Sequence, residues 1–101
     1  MTQSLGDLRV IAAEFPDAIK WWIGDWISGG ARYGLTHDQS IATAQSTAVL
    51  AIGANDDTEL PAGVTADRTS MSFSADVAQN QWAGLGGLLL ALHGEIKPIE
   101  D

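Results

Sequence analysis

The chain has no cysteine among its 101 residues, so disulfides, thiolate metal sites and a cysteine nucleophile are excluded from the outset. Cations are scarce as well: 5 Lys and Arg face 13 Asp and Glu, giving a net charge of −8. A surface of that sign repels phosphate backbones and anionic headgroups, so neither nucleic acid nor a membrane is an expected partner. A long apolar run is also missing. The longest, Trp82 to Leu92 (WAGLGGLLLAL), is about half of the roughly 20 residues needed to cross a bilayer. It reads as a buried helix. Met1 to Asp7 offers no basic start and no apolar stretch, unlike a signal peptide, and the expectation is a soluble cytoplasmic protein. With 46% hydrophobic and 18% charged residues, the composition is that of one packed domain spanning 1–101.

What the chain does contain is helical periodicity. Leu5, Leu8, Ala12 and Phe15 recur on one face, Ser4 suits an N-cap and Asp7 the first turn, which predicts a helix over 5–15. Ile19, Trp22, Ile23, Trp26 and Ile27 form an unbroken i, i+3, i+4, i+7, i+8 stripe, predicting a helix over 17–28 that ends at Gly29-Gly30. Trp21 lies off that stripe. Thr36-His37-Asp38-Gln39 matches a capping box, and the helix it opens, 37–53, would bury Ile41, Ala44, Ala48, Ala51 and Ile52. Residues 55–67 carry four acids, a proline and a glycine, and read as an exposed loop.

Thr69, Met71 and Phe73 alternate with polar residues as in a strand, and Val64-Thr65-Ala66 can pair with them. So short a hairpin needs a helix to lean on. A last helix over 75–93, capped by Ser74, would run a seam through Ala78, Trp82, Leu85, Leu89, Leu92 and Ile96. Gly84, Gly86 and Gly87 within it cost about 1 kcal/mol each relative to Ala, so either something offsets them or the helix breaks there. The tail from Lys97 is expected to fray. The fold class is mainly α: a small four-helix domain with a short β-hairpin, or an extended crossover, before the last helix.

Chemistry is hard to find. His37 and His93 have no partners at catalytic or metal-ligand spacing, and no serine sits in a G-x-S-x-G turn. Asp56, Asp57 and Glu59 do not match an EF-hand, and read as a solvated acidic loop with a hard cation as the alternative. Gly84-Leu85-Gly86-Gly87 lacks the lysine and spacing of a phosphate loop. No catalytic, metal or cofactor residue is assigned, and a non-enzyme is expected.

One local pattern stands out. Trp22-Ile23-Gly24-Asp25-Trp26-Ile27, followed by Arg32-Tyr33-Gly34, resembles a segment of actinobacterial helix-turn-helix regulators of the lincomycin-cluster activator type. The resemblance covers about 14 residues and implies a scaffold helix preceding helices that contact DNA. The helix that follows here, 37–53, departs from that pattern: it has no Lys or Arg for phosphates or guanine.

Four amphipathic segments leave apolar and small surface over: Trp21, Leu88 and Leu90, and the line Ala83, Gly87 and Ala91 where a helix backbone could come close. The expected function is therefore a non-enzymatic, acidic protein–protein interaction module, self-associating through helix faces, with those six residues binding the partner. The alternatives are an acidic inhibitor or adaptor, of a kind phages carry, for a basic protein surface, and a helix-turn-helix-like regulator.

Overall fold

The computed structural model describes residues 2–96, so the tail from Lys97 and the Ile96 side chain lie outside the described part. The architecture is mainly helical. Helix α1 (Leu5–Glu14) leads to α2 (Ala18–Gly29), a 3₁₀ turn over Gly30–Tyr33, α3 (His37–Ala48) and a second 3₁₀ turn over Val49–Ala51. Strands β1 (Val64–Ala66) and β2 (Met71–Phe73) then precede α4 (Gln79–Ile96).

Local chemistry sets the helix starts. The Ser4 hydroxyl accepts from the Asp7 amide and the Asp7 carboxylate accepts from the Ser4 amide, a reciprocal box at the head of α1. Thr36 and Gln39 do the same at α3. Helix α4 starts later than expected, and Ser74 is not its cap. Two side chains from the first 3₁₀ turn hold the backbone before it: Arg32 Nη1 donates to the Ser74 carbonyl at 2.6 Å and the Tyr33 hydroxyl to the Val77 carbonyl at 2.7 Å. With those carbonyls engaged sideways, residues 74–78 stay non-helical and Val77 is buried.

The core is built on tryptophan. Trp22, Trp26 and Trp82 are sealed from solvent, together with Leu8, Ile19, Leu85, Leu89 and Leu92. Trp26 and Trp82 stack with ring centroids 4.1 Å apart and planes within 5°. Each indole N–H donates to the other residue's backbone carbonyl, Trp26 Nε1 to Trp82 O at 2.6 Å and Trp82 Nε1 to Trp26 O at 2.9 Å. The second bond explains how α2 ends. Gly30, although a glycine can take a left-handed cap, stays right-handed at φ −63°, and its amide bonds back to Ile27 rather than Trp26. The Trp26 carbonyl, released as the helix tightens to 3₁₀, accepts the Trp82 indole. The left-handed residue comes later, at Gly34 with φ 78°.

The hairpin leans on α2. Its strands pair antiparallel with Val64 opposite Phe73 and Ala66 opposite Met71, and Thr69 lies in the turn, not in a strand. The Asp25 carboxylate accepts the Met71 amide at 2.9 Å, and the Trp22 indole donates to the Asp67 carbonyl at 2.6 Å. Gln3 fastens the other edge, exchanging hydrogen bonds of 2.9 and 2.7 Å with the Ala66 backbone. Thus the Asp25 carboxylate and the Trp22 indole nitrogen of α2, with Gln3 opposite, fix where the hairpin sits.

Candidate functional site

Helices α3 and α4 lie against each other through small residues and run antiparallel. At Gly87 a Cβ would come within 2.6 Å of the Thr47 carbonyl carbon and 2.9 Å of the Ala48 amide, so only glycine permits this approach. The Thr47 hydroxyl donates across the contact to the Ala83 carbonyl at 2.9 Å. The small-residue line read as a partner surface is therefore occupied at Ala83 and Gly87 by α3 of the same chain. Gly86 serves another neighbour: a Cβ there would enter the six-membered ring of Trp26, 2.6 Å from Cη2. The helix does not break at Gly84–Gly87, and two of the three glycines in that stretch have a packing reason.

Beyond Ala48 the geometry changes. In a continued α-helix Ala51 and Ile52 would both face inward. The 3₁₀ turn returns to the same face after three residues, so Ala51 remains buried and Ile52 swings past it. Ile52 is 84% exposed, Leu50 81% and Val49 66%, which corrects the expectation that Ile52 belongs to the core. Beside this apolar step an open groove of ≈ 260 Å³ runs between the turn and α4, with Leu50, Ala51, Pro61, Gly84, Leu85 and Leu88 among its walls and Glu59 on its rim. No sequence signal for a buried helix face would have marked these side chains as exposed.

The other expected partner residues are scattered. Leu88 and Ala91 are half-buried, Leu88 in the groove just described. Leu90 is half-buried in a separate apolar crevice of ≈ 70 Å³ with Ile23, Ile27 and Ile41. That volume is well below the roughly 300 Å³ at which small-molecule pockets begin. Trp21 is 46% exposed in a third place, an open cleft that it shares with Phe15, Asp17 and Arg68. Phe15, expected in the core face of α1, instead lies at the surface with the Arg68 guanidinium 5.5 Å above its ring.

The cations of the described residues are engaged within the fold. Arg9 spans Asp56 and Glu95, bonding Glu95 twice at 3.0 and 2.9 Å. The Glu95 hydrogen bond and, behind it, that of Asp56 raise the Arg9 pKa above its ordinary value, against a partial loss of hydration. Lys20 is 3.9 Å from Asp17, and Arg32 donates to the Ser74 carbonyl. The surplus acids face solvent, but among the described residues no group of three or more His, Asp or Glu is placed to hold a metal ion. His37 is exposed beside Asp38, and His93 is half-buried in α4.

In the segment that resembles the regulators, Trp22 and Trp26 lie in the core, and Arg32 and Tyr33 hold the approach to α4. The next helix, α3, turns Ala42, Gln45 and Ser46 to solvent, with no cation among them. Among the described residues no helix is long and apolar enough to cross a membrane. Neither a protein-family model, nor a curated protein, nor a solved structure matches this chain.

Proposed function

We propose that this chain is a non-enzymatic, acidic protein-interaction module that self-associates through its helix faces. The observation that supports this is the apolar step at the end of α3, where Val49, Leu50 and Ile52 stand in water although the core is already filled by three indoles. Contiguous apolar side chains at a surface are retained at a cost in solubility unless something covers them. Light scattering behind size-exclusion chromatography, at tens of micromolar, is expected to give at least twice the mass of 10.6 kDa. A mass of one subunit at every concentration would refute the reading.

A second reading, an acidic adaptor for a basic protein surface, draws on the way Arg9, Lys20, Arg32 and Arg68 are all held by groups of the same chain. The net charge of −8 then faces outward and would steer a cationic partner. Its capture of such a partner is expected to weaken steeply with added salt, and capture indifferent to ionic strength would dispose of it.

A further inference from the structure

We infer that the self-association surface is the uncharged face of α3 and α4, and that its occupant is a second copy of the same face. The inference rests on the self-association reading above and adds where and how it happens. From Gln39 to Asn55, and again from Val77 to Gly94, there is no Asp, Glu, Lys or Arg, in a chain that carries 13 acids and 5 bases elsewhere. The two stretches contain α3 beyond Asp38 in its first turn, its 3₁₀ extension and nearly all of α4, which the fold packs side by side. The charge is therefore segregated. Apart from Glu59 at the rim of the groove the face carries no charge, and the remainder of the net −8 belongs to the rest.

That segregation selects the occupant. A basic partner gains little from docking on this face, because Glu59 at the groove's rim is the one counter-charge its charge finds among the groove's lining. A second copy gains most, because meeting face to face keeps the two acidic surfaces on opposite sides of the pair. Shape agrees with charge. Leu50, 81% exposed, projects from the wall of the groove that Gly84, Leu85 and Leu88 also line, with exposed Ile52 two residues on, so a projection and a recess share one surface. A two-fold axis between them places each subunit's Leu50 against the other's groove, and the contact closes at two subunits.

The experiment is sedimentation equilibrium on the whole chain and on variants whose far-ultraviolet spectra remain native. Leu50→Asp and Ile52→Asp alter side chains already in water, and each is expected to raise the dissociation constant at least about tenfold by putting a charge into the contact. Gly84→Glu approaches from the other helix, at a position where a Cβ meets nothing within 4 Å, and is expected to do the same. Trp21→Asp, in its separate cleft, should leave the mass unchanged. Wild-type association should tighten about threefold between roughly 50 and 500 mM salt, as repulsion between two subunits of −8 about 35 Å across is screened. If the chain associates but only the Trp21 variant disrupts it, or if salt weakens it, the neutral-face inference fails and self-association stands. If the chain is monomeric throughout, both fail.

Discussion

Substituting the α4 glycines by alanine should give opposite signs at positions three residues apart. In an exposed helix interior, alanine is favoured over glycine by about 1 kcal/mol because the unfolded glycine chain has more freedom to lose. Gly84 shows that term alone, since its Cβ would meet nothing within 4 Å. Gly84→Ala is therefore expected to stabilise by about 1 kcal/mol, raising the melting temperature by roughly 4–8 °C for a domain of this size. At Gly87 the same gain is opposed by a Cβ set against the Thr47 carbonyl group and the Ala48 amide, 2.6 Å from the Thr47 carbonyl carbon and 2.9 Å from the Ala48 nitrogen. A backbone cannot rotate aside as a side chain can, so α3 must move. That displaces the Thr47–Ala83 hydrogen bond and costs about 3 kcal/mol, the upper end for overpacking. The net for Gly87→Ala is a loss of about 2 kcal/mol, or a fall of roughly 8–16 °C. Urea unfolding followed by circular dichroism measures both. If the two variants shift the midpoint in the same direction, α3 and α4 do not meet at Gly87 and the account of the interhelical contact is wrong.

Ser40 is fully buried, and its hydroxyl has no hydrogen-bond partner among the described residues, so Ser40→Ala should gain about 1 kcal/mol in the same assay. A loss of comparable size would show that the hydroxyl is satisfied. Asp67 accepts from the Thr69 amide at 2.8 Å, the Thr69 hydroxyl at 2.9 Å and the Ser70 amide at 2.8 Å, and these bonds lower its pKa below the usual carboxylate range. A lowered folded-state pKa means that the stabilisation is present above the ordinary carboxylate range and is lost as pH falls through the lowered value. Protection factors of the Thr69 and Ser70 amides should fall in Asp67→Ala at neutral pH, and in the wild type only as pH drops through the lowered Asp67 value. Equal rates in the two proteins at neutral pH would contradict the turn described. Trp21 is the one indole of the four that reaches water, so Trp21→Phe should abolish most acrylamide-quenchable emission. Quenching that persists unchanged would mean that the core opens.

Much of the fold was legible because periodicity and capping are local. The cap at Ser4, the box at Thr36, the stripe from Ile19 to Trp26, and the strand pair at Val64 and Met71 all lie where the residue pattern puts them. What escaped was set by contacts across the fold. Ile52 was assigned to the core on a 3.6-residue step, but the step is three residues from Val49 onward. Ser74 had the chemistry of a cap, yet Arg32, 42 positions away, claims its carbonyl. Phe15 completed a helix face in sequence but lies beyond the last turn of α1, under Arg68. Of the surfaces assigned to a partner, Gly87 has its neighbour within the chain, and the apolar step that is most exposed depends on a change of helix type that no residue pattern announces.

The parallel indoles of Trp26 and Trp82 have an optical consequence. Chromophores held face to face in one fixed orientation couple their electronic transitions, and the pair then absorbs as a dimer, with rotational strength of its own from every transition whose moments are skewed within the two parallel planes. That signal overlaps the bands from which helix content is read, so spectra of this small protein report the stacked rings together with the backbone. It vanishes when α2 and α4 part, even if each helix survives alone, and so gives a direct optical readout of the moment at which the two helices dock.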